Sequence, residues 1–338
     1  MIVYYIFHLI LKIKRMKKNV LLVNDTSLVC HHGCTLLMQC IYDVFKKNNI
    51  IIKDRIFYEE DYTKYLNKKI NFDLILINGE GTIHGKKNAD IKKVKQILDF
   101  IKLVKKNYKI PIIIFNSTIS SLSNNQLKTL RMLDKIYVRE SYSYNYLKIN
   151  KINSMIVPDL LSLLKFKDNK IGKNIIVNDS SVKINNKKLK EFSKFNNYNY
   201  VPLLYNHLRY FRYFIYKLIR IYEFRLITEF YLTIKKYYVR SFLKQTNDSK
   251  FIITGRFHSI FIALARMKPF YTFESDTYKV RGLLDMLGLR NRIIDINSLR
   301  NKPILLKNFT KSEICKIKKF KKSANETIKI FIRELKEI

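Results

Sequence analysis

Short, nearly unbroken runs of Ile, Val and Leu alternate along this chain with longer amphipathic stretches. Val20 to Val23 reads as a buried strand that stops at the polar Asn24-Asp25-Thr26-Ser27. Thr35 to Lys47 then has helical spacing, and Ile50 to Ile52 is a second strand. Asp73 to Ile77 is a third, ended by Asn78-Gly79-Glu80-Gly81. Lys92 to Lys105 is helical, Pro111 to Phe115 is a fourth strand, and Lys135 to Val138 and Ser154 to Val157 complete the set. Apolar strands separated by helices mark a parallel sheet covered on both faces. Such sheets place their sites in the loops at the strand C-termini.

The rhythm pauses from Lys165 to Lys173, which reads as a linker, and then resumes. Asn174 to Val177, Phe251 to Thr254 and Pro269 to Phe273 are strands; Ser259 to Arg266 and Val280 to Leu287 are helical. A Lys-rich helix from Lys311 to Glu337 closes the chain. The expected fold class is α/β, with two Rossmann-like halves and an interdomain cleft, as in GT-B transferases. The divisions are a basic/apolar segment at 1–18, an N-terminal half at 19–164, a C-terminal half at 173–306 and a terminal helix at 309–338. An aromatic and basic helical insert, 203–245, interrupts the second half.

Charge changes the picture less than its size suggests. The formal net charge of +38 comes with many Ile and Asn, the signature of an AT-rich genome writing lysines at tolerant surface positions. An acidic membrane surface or an anionic substrate would also be served by it. No concentrated basic module points to nucleic acid, so nucleic acid is not among the expected partners. The insert, typified by Tyr210-Phe211-Arg212-Tyr213-Phe214, is too charged to span a bilayer. It suits either the headgroup region of an anionic membrane or the protein's own core or a dimer interface. Met1 to Leu11 precedes its basic run, the reverse of a secretory leader, and reads as a frayed terminus or a short interfacial anchor. A cytoplasmic protein, peripheral on the inner face of the membrane, is the corresponding expectation.

Cys30, Cys34 and Cys40 lie close to His31 and His32, but no second ligand pair follows, so no metal and no cofactor is assigned from the spacing. Thr254-Gly255-Arg256-Phe257-His258-Ser259 sits where a buried strand meets a helix. Gly permits a tight turn, Ser can cap, and the helix N-terminus attracts anions. Arg and His at that corner make an anion-binding and proton-transfer pair.

Residues 254 to 289, TGRFHSIFIALARMKPFYTFESDTYKVRGLLDMLGL, resemble the signature of the polysaccharide pyruvyl transferases. Arg256, His258, Lys279 and Gly282 match that family's R-[FL]-H and K-[VI]-x-G-L positions. YVRESYSYNYL (137–147) and VPDLLSLL around Asp159 resemble two upstream segments and bring Arg139, Glu140 and Ser143 into register. Two departures stand out: His31-His32-Gly33-Cys34 replaces the family's N-x-G-D, and Gly79-Glu80-Gly81 replaces its three glycines. The resemblance implies transfer of a pyruvyl group from phosphoenolpyruvate, or another phosphorylated donor, to a lipid- or nucleotide-linked glycan acceptor of the cell surface. The alternative is a GT-B-like glycosyl or other group transferase of capsule or lipooligosaccharide synthesis. Either way, the implied catalytic set is His258, Arg139, Arg256 and Lys279, with Ser259, Gly255 and Arg281 beside the donor. Asn24, His31, His32, Gly79, Glu80, Gly81 and His84 fall on the acceptor side. His258 is the expected proton donor, its ordinary pKa of about 6.5 lying near working pH and a nearby phosphate raising it.

Overall fold

A computed structural model describes residues 18–63, 71–81, 83–86, 90–166, 172–205, 225–299 and 304–338. All of the segment expected at 1–18 except Lys18 lies outside these residues, as does the middle of the insert, 206–224.

The first half is one parallel sheet. Its elements are β1 (Lys18–Asp25), α1 (His32–Lys47), β2 (Ile50–Phe57), β3 (Leu74–Glu80), α2 (Ile91–Asn107) and β4 (Ile112–Ser117). After them come α3 (Asn124–Leu130), β5 (Lys135–Val138), α4 (Ser141–Ile149) and β6 (Met155–Ile156). The strands lie in the order β2-β1-β3-β4-β5-β6. Every residue of β3 and β4 is buried, which is why these strands read as solid apolar runs without alternation. The apolar pattern gave no sign of α3 and α4, which are short and largely polar. They are specified by their caps. Ser123 and Gln126 form a capping box on α3, and the Glu140 carboxylate accepts from the Tyr142 and Ser143 backbone N–H groups at the start of α4.

The second sheet comprises β7 (Asn174–Ser180), β8 (Asn199–Tyr200), β9 (Ser249–Gly255) and β10 (Phe270–Thr272), in the order β10-β9-β7-β8 and parallel throughout. It repeats the arrangement of the first four strands of the first sheet, the second strand flanking the first and the third crossing to its other side. Between and after these strands run α5 (Asn185–Phe195), α6 (Arg225–Asn247), α7 (Phe257–Ala265), α8 (Lys279–Leu287) and α9 (Lys311–Glu337).

One hydrophobic cluster runs through both halves. It takes Val20, Leu36 and Phe115 from the first sheet's surroundings, Ile252, Phe261 and Val280 from the second's, and Phe331 from α9. α9 ties the halves together at its two ends. Near its start, Glu313 takes a bidentate pair from Arg292, Nε–Oε1 2.8 Å and Nη2–Oε2 2.6 Å. Near its end, Glu334 accepts from Lys135 Nζ at 2.7 Å and from the Tyr137 hydroxyl of β5. α8 meets α4 at Gly282, where any Cβ would press into the Glu140 carboxylate. That close approach explains why this helix face carries glycine.

The described end of the insert is core. Tyr231, Lys235, Val239 and Phe242 bury one stripe of α6. Lys235 Nζ donates to the carbonyls of Ser27 and Val29, the second at 2.6 Å, and so holds the loop after β1. Among the described residues no helix is long and apolar enough to cross a membrane.

Candidate active site

The repeated strand order gives each sheet a point where successive crossovers leave in opposite directions, the place where open α/β sheets bind ligands. In the first sheet it lies between β1 and β3, in the second between β7 and β9. Both contribute to one cavity of about 220 Å³. The first half supplies His31, Cys34, Glu80, Gly81 and Arg139, and the second supplies Ser181, Arg256, Phe257, His258 and Lys279. A larger cavity, about 760 Å³, lies between α1 and α9. It is lined mainly by lysines and apolar side chains and is away from the strand ends, so we place the chemistry in the smaller one.

Three cations line the cavity, and each is paired with a buried or half-buried carboxylate. Arg139 Nη1 donates to Asp159 Oδ2 at 3.1 Å and its Nε to Thr118 Oγ1 at 2.9 Å, while its guanidinium lies 4.3 Å from the centre of the Phe257 ring. Arg256 Nη2 donates to Asp179, and Lys279 Nζ to Asp276 at 3.0 Å. Burial pulls the Lys279 pKa down, against the pull of Asp276. Arg256 Nε is buried with no hydrogen-bond partner among the described residues, and so is His258 Nε2. Orphaned donors of this kind cost free energy unless a ligand takes them up. α7 begins beside them with no side-chain cap, so its first N–H groups are open to an anion.

Burial and neighbouring cations shift the two imidazoles of the cavity in the same direction. Burial, then Arg139, Lys279 and Arg256, push the His258 pKa well below its usual 6.5. Burial and these cations disfavour the charged imidazole, and the phosphate of a bound donor would act in the opposite direction. His31 is lowered in the same way, by burial first and then by Arg256 and His258. The Cys34 thiol is raised by burial and by Glu80, whose Oε2 lies 3.5 Å from Sγ, so it is no ready nucleophile. Asp159, fully buried, is raised to about 6 by desolvation, with Arg139 opposing. Its Oδ2 lies 3.9 Å from His258 Nε2, so one carboxylate faces both the arginine and the histidine.

Backbone strain marks the first wall. Asn24, Glu80 and Asn116 end three neighbouring strands at φ of 64°, 40° and 52°. Asn tolerates this left-handed region, but Glu does so at a cost of the order of 1 kcal/mol. The Glu80 side chain is then held by Thr26 Oγ1 and by Asn78 Nδ2, the latter at 3.2 Å.

His31, Glu80, Gly81, Arg139, Arg256, His258 and Lys279 thus line one cavity, and seven other expected site residues do not. Asn24 bonds Tyr62 and Asn78; His32 stacks on Phe242, with ring centres 4.6 Å apart. Gly79 lets β3 approach Ser117, and Gly255 lets β9 approach Ser180. Ser259 is no cap: its Oγ donates to Asn178 Oδ1 at 2.6 Å, and Arg256 occupies the cap position of α7. Arg281 pairs with Glu274 near the surface, and His84 bridges towards Ser120. The carboxylates Asp159, Asp179 and Asp276 were missed as site residues. Asp159 and Asp179 lie where apolar runs turn polar, the same signal that marked Asn24 and Asn78.

Two parallel sheets direct paired cations and an uncapped helix start into one small cavity, the arrangement of an α/β fold whose site suits an anionic ligand. The model of the polysaccharide pyruvyl transferase family matches residues 31–277, and the chain belongs to that family. A functionally uncharacterized protein of Klebsiella pneumoniae subsp. pneumoniae superposes with a TM-score of 0.54 at 15% identity, covering 86% of this chain and 98% of its own. The likeness is one of fold. An alpha-glucosyltransferase solved with UDP and a 13-mer DNA gives a TM-score of 0.44 at 9% identity over 94% of this chain and 95% of its own. No curated protein matches the chain.

Proposed function

We propose that the cavity binds phosphoenolpyruvate and that the protein transfers its pyruvyl group to two hydroxyls of a glycan acceptor. The orphaned Arg256 Nε beside Arg139, Lys279 and the uncapped start of α7 carries this reading. A carboxylate and a phosphate need several converging cations, Arg by bidentate contact and Lys as a point charge. The volume of about 220 Å³ also favours a compact anion, since drug-sized ligands occupy about 300–1,000 Å³.

The reaction moves one proton to the donor's methylene carbon and joins an acceptor oxygen to the neighbouring carbon. Phosphate departs with the bridging oxygen, and a second hydroxyl closes the ketal. In this reading Arg139, Arg256 and Lys279 hold the two anionic groups. His258 becomes a proton donor only once donor charge offsets the surrounding cations. Asp159 couples the two events: as the donor draws Arg139 towards itself, the Asp159 carboxylate is left to stabilise the His258 imidazolium. The first wall, with His31 and Glu80, faces the acceptor, a lipid- or nucleotide-linked glycan precursor of a cell-surface polysaccharide.

The test is a thermal-shift screen of phosphoenolpyruvate against a set of nucleotide sugars. Phosphoenolpyruvate should raise the melting temperature and the nucleotide sugars should not. A shift with a nucleotide sugar alone would replace the donor by that class.

A further inference from the structure

His31, Cys34 and His258 each present a ligand atom to one point. The three atoms lie within 4.8 Å of one another, and all three residues are buried. The grouping depends on Gly33. A side chain there would collide with the His258 ring, so glycine at this one place lets His258 nest against the start of α1 between His31 and Cys34. His31 Nδ1 accepts from the Cys34 backbone N–H at 3.2 Å as the cap of α1, leaving Nε2 as the nitrogen it can offer. His258 Nε2 has no hydrogen-bond partner among the described residues.

We propose that His31, Cys34 and His258 form a binding site for a zinc-class divalent cation at the mouth of the anion cavity. Two imidazoles and one thiolate suit Zn²⁺ or Co²⁺ and reject Mg²⁺ and Ca²⁺, which demand oxygen. Three protein ligands leave the fourth tetrahedral position to water or to Glu80, whose carboxylate touches Cys34 Sγ. Metal–ligand bonds of about 2.0–2.3 Å put tetrahedral ligand atoms roughly 3.3–3.7 Å apart, so the cluster closes on the ion by about an ångström.

The charges permit this although the cavity is lined by cations. Arg139, Arg256 and Lys279 are already matched by Asp159, Asp179 and Asp276. Lys235, the other cation near Cys34, is held by the two carbonyls after β1. Glu80 has no cationic partner among the described residues; as the ion binds, the Cys34 thiol gives up its proton to solvent, and the thiolate left behind balances the dication together with Glu80. The strained Glu80 and the His31-His32-Gly33-Cys34 corner, the two places where the chain departs from its family's motifs, thus become parts of one site. Because the ion would take the His258 nitrogen, metal binding and proton transfer by His258 exclude each other.

The experiment is a titration of chelator-treated protein with cobalt(II) chloride, read by absorption. One equivalent should produce a thiolate-to-cobalt charge-transfer band that Zn²⁺ then abolishes by displacement. Cys34→Ser should remove the band, and His31→Asn, which keeps a cap acceptor for α1, should weaken cobalt affinity at least tenfold. Glu80→Gln should weaken it less. Circular dichroism confirms that each variant is folded. No band, or a band that persists in Cys34→Ser and so arises at another of the free cysteines, Cys30, Cys40 or Cys315, overturns the proposal. The assay contains no phosphoenolpyruvate, so its failure leaves the donor reading standing.

Discussion

The two walls of the cavity were built by different rules. The second wall, with Arg256, His258 and Lys279, follows a motif contiguous in sequence from 254 to 289 and stands on an uncapped helix start. The first wall, with His31, Cys34 and Glu80, departs from that family's pattern and rests on strained strand ends. The facing wall carries an imidazole, a thiol and a carboxylate, at His31, Cys34 and Glu80. Arg139 belongs to the first half yet lies against Phe257 of the second.

The strongest way to break this comparison is at His258. If the second wall does the chemistry, His258→Gln lowers turnover about 10²- to 10⁴-fold while donor affinity is kept, as expected of a positioned proton donor. Turnover equal to wild type would end that assignment.

The next effect falls on the strap that holds the walls together. Glu313→Ala leaves Arg292 charged and buried, and should cost about 3–5 kcal/mol in urea unfolding. In the wild type the Arg292 guanidinium holds the Glu313 carboxyl at about 2, below its ordinary 4.5. Below 4.5 the unfolded chain takes up the proton first, so this contribution is present above that pH and is lost as pH falls towards 2. An unfolding curve whose midpoint is unchanged between pH 5 and pH 3 in both wild type and Glu313→Ala would remove the pair from the ledger of stability.

A smaller effect is expected at the cations. Lys279→Ala, from the second wall, and Arg139→Ala, from the first half, should each weaken donor binding by about 1.5–3 kcal/mol. The smallest is at the far end of the strap. The Lys135–Glu334 pair is half exposed, and Glu334→Gln should cost no more than about 1 kcal/mol. A cost above 3 kcal/mol there would mean that the first half depends on the strap as strongly as the second.

Much of the fold was legible because buried parallel strands are continuous apolar runs. β5 and α9 fall at the residues that periodicity indicated, Lys135–Val138 and Lys311–Glu337. Helices α3 and α4 were not legible, since a capping box and an acidic cap specify them more than any apolar face does. At the site, Arg256 was legible from the strand–helix corner and Arg139 and Lys279 from the resemblance to the family, but their partners were not. Asp159, Asp179 and Asp276 acquire meaning only opposite Arg139, Arg256 and Lys279. The two-histidine, one-cysteine cluster was hidden for the same reason: His31 and Cys34 form half of a knuckle, and the missing ligand, His258, comes from the other sheet. The downward pull on the His258 pKa was hidden too, because burial and three neighbouring cations are properties of the assembled cavity.

The central claim is that one anion cavity is shared by both halves, and calorimetric titration with phosphoenolpyruvate tests it most directly. Wild type should bind one equivalent, and Arg139→Ala and Lys279→Ala should each weaken binding roughly tenfold or more. The absence of binding heat in the wild type, or loss confined to variants of one half, would contradict it.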